Sequence, residues 1–583
     1  MSAPSWKQAT ETAWQVPRPE PDAARALAAD LGVSPILGQV LLNRGLSDAD
    51  AARAFLAPSM DSLADPSEMP GMGDAVDRLL AAARGGEKVV VFGDYDVDGI
   101  SGTALLTGFL SLAGAEASPR LPNRLSEGYG LNPKAVRELV DRGTDLLVTV
   151  DHGTTAHEEI ALAKELGLDV VVVDHHTPNS TLPVAVAVVN PHLEGGDRAM
   201  PCGTGVAWKV AWATAVALAG GPRVAKVHRE FLLDSLALVA LGTVADVVPL
   251  RDENRVLARF GLEVLGKTRR PGLRALMAKA QVNGGSPRAS DIGFRLAPRL
   301  NAAGRLGEAE VALELLTTDS PDRGREIAAR LDRENRRRRE IETGIVAEVC
   351  ERVERDYAPG HAGGIAVGSE GWHAGVIGIV AARLVDRYHR PSAVCSLDGE
   401  IGRGSCRSIP SVPLPAVLEK CAEHLVTWGG HAAAAGFSVE PDRFEAFRAA
   451  FDSAVRDMTS PEDFVRRVRV DLVTTLGEVT PTLVRDVDRL APFGSGNPRP
   501  VLATRGVKIV GGVRRVGKDG PHLSFTVADG SGTHRAIGFR MGALADGIGR
   551  HAELDIAYTV KEDDWRKDGS LQLTLEDLSV RDG

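Results

Sequence analysis

From Lys88 onward the chain repeats one pattern: a short, wholly apolar run, a polar loop, then apolar residues at helical spacing. That rhythm predicts βαβ units and a parallel sheet buried on both faces. Three of the apolar runs end in acid. Val89–Phe92 leads into Gly93-Asp94-Tyr95-Asp96-Val97-Asp98-Gly99, Leu146–Val150 into Asp151-His152-Gly153, and Val171–Val173 into Asp174-His175-His176. Upstream, residues 1–85 read as an N-terminal helical extension, in which Ala24–Leu31 and Ala51–Leu56 carry apolar faces between Pro, Gly and Asp punctuation. Residues 86–320 form the α/β domain with the acidic strand ends. Residues 321–356 read as one long polar connecting helix. A second, smaller α/β domain follows over 357–460, with a strand at Gly364–Val367, a loop through Ser369-Glu370-Gly371-Trp372-His373 and an amphipathic helix at Val376–Leu384. Over 461–583 the runs Val507–Val513, Leu523–Val527, Thr533–Phe539 and Asp555–Val560, split by Gly/Asp turns, predict a small β barrel with the Pro492–Pro498 loop near its entrance. The fold class is thus α/β with an appended barrel.

A length of 583 residues fits about three to four domains at roughly 150 residues each. The net charge of −10 excludes a generally basic nucleic-acid coat, so a polyanionic ligand would meet a local basic surface or metal ions. Two basic features stand out. Arg323 to Arg339 concentrates arginines on the connecting helix, as a solvated face or a nucleic-acid track, and Arg514, Arg515 and Lys518 cluster in the barrel. The cysteines Cys202, Cys350, Cys395, Cys406 and Cys421 are scattered and form no CxxC pair, which with a polar N-terminus leads us to expect a cytoplasmic protein. Phe231 to Val248 comes nearest to a membrane span, but Asp234 and Asp246 interrupt it, and no membrane association is expected.

In an open parallel sheet, ligands bind beyond the carboxyl ends of the strands, so the three acidic strand ends should converge on one crevice. Singly, each acid reads as a helix cap. Together, the carboxylates at 94, 96, 98 and 151 and the Asp174-His175-His176 triplet call for cationic counter-charge, and their mixed oxygen and nitrogen donors suit Mn²⁺ or Mg²⁺ where carboxylate dominates, with Zn²⁺ the alternative. Asp246 follows an apolar helical run, where an unpaired charge is costly, and joins the same set. An EF-hand is excluded, because Leu105 occupies the twelfth loop position and a strand precedes the loop. A P-loop at Gly512 to Lys518 fails, because Asp519 stands where Ser or Thr would hold Mg²⁺. Two divalent ions about 3.5–4 Å apart suit hydrolysis of a phosphoester or phosphoanhydride.

These motifs resemble the DHH phosphoesterase superfamily and, within it, the RecJ family of single-strand-specific exonucleases. The resemblance is carried by Asp94–Gly99, Asn123–Gly130, Asp151-His152-Gly153, Asp174-His175-His176, Ala245–Leu250, Arg299–Arg305, Gly371–Gly378, Gly404–Ser408, Gly429–Gly436 and the Pro492–Pro498 loop. It implies a DHH domain over 86–320, a DHH-associated domain over 357–460 and an OB-like domain over 461–583. It implies Asp96, Asp98, Asp151, His175 and Asp246 as ligands of two Mn²⁺ or Mg²⁺ ions, with Asp151 as the bridge. Asp94 is then a ligand or a neighbour of the ligands, and His176 faces the scissile phosphate. Arg124, Ser405 and Arg407 are implied to hold a 5′-terminal phosphate, and Gly429, Gly430 and His431, with Arg299, Asn301 and Arg305, to contact substrate. Phe92 stands where pyrophosphatases of the superfamily carry a metal-binding His, which speaks against that branch. In the barrel, Phe525 and Phe539 are expected in the core and Trp565 as a stacking platform. The implied activity is 5′-to-3′ digestion of single-stranded DNA to 5′-mononucleotides in recombination and repair. The implied partners are single-strand-binding protein and a RecQ-type helicase, and the implied state is a monomer. The competing readings are a nanoRNA or cyclic-dinucleotide phosphodiesterase and a catalytically silent DHH replication scaffold.

Overall fold

The computed structural model describes residues 12–123, 127–195, 199–282, 287–305, 308–357, 362–549, 552–563 and 568–581. The chain divides into two compact units, one comprising residues 58–338 with 492–498, the other residues up to 57, 339–491 and from 499 onward.

The first unit is built on a five-stranded sheet, β1 (Lys88–Gly93), β2 (Glu116–Arg120), β3 (Leu146–Val150), β4 (Asp169–Val173) and β5 (Ala187–Val189). The strands lie in the order β2-β1-β3-β4-β5 and every neighbour pair is parallel. Val89, Val91, Val148, Val150, Val171 and Val173 are fully enclosed between helices, which is why these strands read as continuous apolar runs. The register pairs Gly93 with Val150 and Val150 with Val173, so the strand ends are level. The order reverses at β1, and the crevice at that switch point opens where Asp94 and Asp151 emerge. Against the sheet pack α1 (Val97–Ala113) and α2 (Gly203–Ala219), and α3 (Lys226–Ala245) packs onto these two helices, all in one apolar core. Farther along come α4 (Ala297–Arg305), preceded by a π-helical turn at Ile292–Leu296, and α5 (Pro321–Asp356), the predicted long helix.

In the second unit, β6 (Ile365–Ser369), α6 (Ile377–Tyr388), β7 (Ser392–Ser396), β8 (Gly402–Arg407), β9 (Thr427–Gly430) and β10 (Ala434–Val439) form a sheet of order β9-β10-β8-β7-β6. β6 and β7 pair in parallel, and the remaining neighbours pair antiparallel. The C-terminal strands β11 (Leu502–Val516), β12 (His522–Ala528), β13 (Thr533–Gly538), β14 (Glu553–Glu562) and β15 (Leu571–Val580) run β11-β12-β13-β15-β14 and close through β14 onto β11. One parallel pair, β13 with β15, among antiparallel ones gives the closed five-stranded barrel of an OB fold.

Some expectations need correction. β15 is not among the strands read from the sequence, although Leu571-Gln572-Leu573-Thr574-Leu575 alternates plainly. Phe525 is in the barrel core, but Phe539 lies one residue past β13, half exposed and edge-on to His522 at 5.2 Å. Trp565 falls outside the described residues. The Pro492–Pro498 loop packs within the first unit, where Ser495 carbonyl accepts from Leu250 N–H at 2.7 Å and Gly496, at φ 67°, lies against Pro249. A tight turn with Gly at 494 and 496 lets the backbone approach that closely, and a side chain would not.

Candidate active site

The site grows from three strand ends and one helix end. After β1 the chain turns through Asp94, Tyr95 and Asp96 into α1. Asp96 caps that helix, its carboxylate accepting from Asp98 N–H at 2.9 Å and Gly99 N–H at 3.1 Å. Asp98, at the start of α1, is buried and points at the start of α2, where Gly203 N–H and Thr204 N–H donate to its two oxygens at 2.6 and 2.9 Å. A helix N-terminus thereby stabilises a carboxylate that the apolar core would reject. The fit is close: a Cβ at Gly242 would overlap Asp98 Oδ1 and Thr204 Oγ1, and one at Gly203 would lie 2.6 Å from Asp151 Cβ.

Asp151 leaves β3 in the left-handed region at φ 66°, a conformation that few non-glycine residues hold without a compensating role. Its N–H continues the ladder to Val173 carbonyl. After β4, Asp174 turns inward and works as an organiser. It accepts from Thr154 N–H at 3.0 Å, from His175 N–H at 2.7 Å and from His176 N–H at 3.2 Å, and pairs with His176 Nδ1 at 2.7 Å. That bonding fixes both residues. His175 Nε2 then lies 3.0 Å from Asp151 Oδ1, 3.6 Å from Asp246 Oδ2 and 3.8 Å from Asp98 Oδ2. Asp246 follows the last residue of α3, and the next residue, Val247, stands at φ 61°, unusual for a β-branched side chain.

Among the described residues, three groups of side chains bring their ligand atoms within 4.8 Å of one another: Asp94, Asp96 and Asp151; Asp98, His175 and Asp246; and Asp151, His175 and His176. Burial and then the Asp98 charge raise the Asp96 carboxyl. Burial, with Asp98, Asp96, Asp94 and Asp246 around it, raises Asp151 well above the usual range. Burial and Asp98 push Asp246 up to about 8. His175 is lowered by burial, against the pull of Asp98. Burial opposes the charge on His176, yet the Asp174 hydrogen bond and charge prevail and lift it to about 9. At an effective dielectric of about 20, each like-charged pair about 4 Å apart costs roughly 4 kcal/mol. Several such pairs would rival the ~5–15 kcal/mol stability of a whole domain. The cluster therefore needs protons or cations. The donors fit a divalent cation: among the described residues His175 Nε2 is buried without a hydrogen bond, and carboxylate oxygens surround it.

Of the other residues singled out in the sequence, Arg299 bonds Asp332, and Asn301 Oδ1 accepts from Val97 N–H at 3.1 Å, both as internal contacts. Arg305 ends α4, half-buried. Arg124 lies outside the described residues. Tyr129 was not singled out. Its hydroxyl donates to Asp151 carbonyl at 3.2 Å and sits 3.4 Å from His176 Nε2, and the signal for it is an aromatic residue flanked by glycines in Gly128-Tyr129-Gly130.

In the second unit, Gly429 on β9, Gly436 on β10 and Ser405 on β8 are register partners and share one sheet face, with Arg407 two residues from Ser405. Ser405 Oγ and Arg407 Nη2 approach Gly378 in the first turn of α6; a Cβ there would lie 2.9 and 3.2 Å from them. Arg407 Nη1 donates to Ser405 Oγ at 3.1 Å. Gly430, at φ 140°, leads into the exposed hairpin turn that begins with His431. A bare backbone surface beside an Arg and a helix N-terminus suits a phosphate-bearing chain.

Family models match in the same order: DHH family, N-terminal domain, over residues 88–243; DHHA1 domain over 361–457; RecJ OB domain over 470–577. The single-stranded-DNA-specific exonuclease RecJ of Bacillus subtilis is 35% identical over 98% of this chain and 71% of its own length. The crystal structure of RecJ from Thermus thermophilus in complex with Mn²⁺ superposes with a TM-score of 0.84 at 31% identity, over 98% of this chain and 80% of that one. The Mg²⁺ complex of that protein gives 0.79 at 29%, over 98% and 79%. With three matched segments in sequence and a relative alike over nearly the whole of this chain, the protein belongs to the RecJ family.

Proposed function

We propose that this chain is a single-stranded-DNA-specific exonuclease that hydrolyses phosphodiester bonds with two Mn²⁺ or Mg²⁺ ions. The observation that carries the reading is the convergence of Asp94, Asp96, Asp98, Asp151, His175 and Asp246 at one sheet edge, in a chain 35% identical to an enzyme of that name. Asp94 and Asp96 would hold one ion and Asp98, His175 and Asp246 the other, with Asp151, which neighbours both sets, between them. When bound, the cations supply charge neutralisation at the phosphate and acidify the attacking water. The chain's own groups do the rest. His176, kept cationic and oriented by Asp174, faces the developing negative charge, and Tyr129 braces His176 and the Asp151 carbonyl. In the second unit, Ser405 and Arg407 beside the start of α6 would take the 5′-terminal phosphate, and the Gly429-Gly430-His431 stretch would pass the sugar-phosphate backbone; Arg124, which the family resemblance adds to that role, lies outside the described residues. A pocket of that chemistry favours 5′-to-3′ polarity and release of 5′-mononucleotides. The OB barrel favours a polymer over a dinucleotide, and the full set of carboxylates favours an enzyme over a silent scaffold. The same proposal places the enzyme in DNA recombination and repair, working as a monomer on strands supplied by a RecQ-type helicase and single-strand-binding protein. Among the described residues no single helix is long and apolar enough to cross a membrane.

The test is digestion of 5′- and 3′-labelled single strands with and without Mn²⁺, beside Asp151→Ala. Mononucleotides released from the 5′ end, only with cation and not by the variant, are expected. Preference for a dinucleotide over a 40-mer, or full activity of the variant, would overturn the reading.

A further inference from the structure

The Arg299-Leu300-Asn301-Ala302-Ala303-Gly304-Arg305 segment resembles a substrate-binding motif, yet the Arg299 guanidinium and the Asn301 side-chain oxygen already have partners in the fold. Asn301 Oδ1 accepts the Val97 N–H at 3.1 Å. That N–H belongs to the first turn of α1, one of the donors a helix leaves without an internal partner. The next donors, on Asp98 and Gly99, are taken by the Asp96 carboxylate. Three residues along the same face of α4, Gly304 lies against the Tyr95 carbonyl so closely that a Cβ would strike its oxygen. Helix α4 therefore grips the backbone on both sides of Asp96, by the carbonyl before it and the N–H after it.

The grip has its own anchor. Arg299 Nε and Nη2 each lie 3.0 Å from Asp332 Oδ1 on α5, and the buried Asp332 also holds Arg336 at 2.8 Å. Leu300, Ala302 and Ala303 are buried against the core. The π-helical turn before α4 shifts the register of the residues that follow and packs Gly293 near Val244, two residues from Asp246.

We propose that Asn301 is a positioning residue for the metal centre, setting the Asp96 carboxylate through Val97, and does not contact DNA. This rests on the two-cation reading of Asp96. Loss of an outer partner of a metal ligand typically lowers metal affinity by about 10–100-fold. The experiment compares full-length wild type, Asn301→Ala and Asn301→Asp by calorimetric titration with Mn²⁺ in the absence of DNA, and by steady-state kinetics on a 5′-phosphorylated oligonucleotide. Asn301→Ala should bind Mn²⁺ about tenfold more weakly and lose kcat, with KM essentially unchanged. Asn301→Asp keeps the acceptor and should recover most of the Mn²⁺ affinity. A raised KM with wild-type Mn²⁺ affinity would overturn the proposal in favour of a substrate contact, and so would equal impairment of both variants. Should Asn301→Ala not fold, Asn301→Asp and Gly304→Ala decide the matter: wild-type-like Mn²⁺ binding in the first and weakened binding in the second support the positioning role, and the reverse overturns it. The wild-type Mn²⁺ titration reports on the two-cation reading itself, and only the ratios among variants report on Asn301.

Discussion

Asp246 shows how the site stores its need for cations. Burial and the charges of Asp98 and Asp96 raise its carboxyl to about 8, from 3.8 in an ordinary setting. A carboxyl raised in the folded state adds stability that is complete below the unfolded value and is lost as pH climbs through the folded one, here about 8. Protons stabilise the cation-free protein at lower pH, and a divalent ion must replace them at higher pH. The rise in Tm on adding Mg²⁺, measured by thermal denaturation against an EDTA control, should therefore be larger at about pH 8.5 than at about pH 6.5. An equal or smaller rise at the higher pH would refute this account of the cluster. A second prediction concerns shape. Because a Cβ at Gly242 would intrude on Asp98 Oδ1 and Thr204 Oγ1, Gly242→Ala should displace the Asp98 carboxylate. Overpacking of this kind costs about 1–3 kcal/mol of stability. Cation affinity should fall further than that loss alone explains, read by Mn²⁺ titration alongside denaturation midpoints.

Among the elements, the sheet of the second unit makes the clearest claim. Gly429, Gly436 and Ser405 are adjacent across three strands, and Arg407 stands at the edge of that row beside the first turn of α6. A charge-assisted hydrogen bond to a phosphate is worth about 1.5–3 kcal/mol, or roughly 10–100-fold in affinity. Arg407→Ala should therefore abolish the preference for a 5′-phosphorylated strand over a 5′-hydroxyl one by raising KM, with kcat on the hydroxyl strand little changed; an unchanged KM ratio would remove Arg407 from the 5′-phosphate site. Elements also show what the sequence makes legible. Strand ends at Asp94, Asp151 and Asp174 are readable because buried parallel strands are apolar throughout, and an acid stopping such a run has few other uses. The start of α2 is not readable as Asp98's partner, since Gly203 and Thr204 meet it only through tertiary packing 105 and 106 residues away. Asn301 and Arg299 are hard to read for the opposite reason: their residue types suit a phosphate, and only the fold shows that Asn301 Oδ1 accepts from Val97 N–H and that Arg299 pairs with Asp332.

At the level of the whole molecule, an acidic chain of net charge −10 has to hold a polyanion, so its basic groups must act locally. The barrel is where that is testable. Arg514 and Arg515 lie near the end of β11 and Lys518 in the turn that leads to β12, while Arg515 is engaged by Asp546. Deleting the barrel would be a poor experiment. The 492–498 loop lies within the same C-terminal stretch of sequence but packs on Pro249 and Leu250, just past Asp246, so truncation would disturb the catalytic unit as well. Point substitutions avoid this. Each phosphate neutralised on a single strand contributes about 0.7 to the slope of log affinity against log salt concentration. If Arg514 and Lys518 each meet one phosphate, the Arg514→Ala, Lys518→Ala double variant should bind a long single strand more weakly at low salt. Its salt slope should be shallower by about 1.4. Hydrolysis of a dinucleotide should keep the wild-type kcat. An unaltered slope would mean that these side chains do not touch the backbone, and a fall in kcat on the short substrate would mean that the barrel acts on the chemistry and not only on the grip.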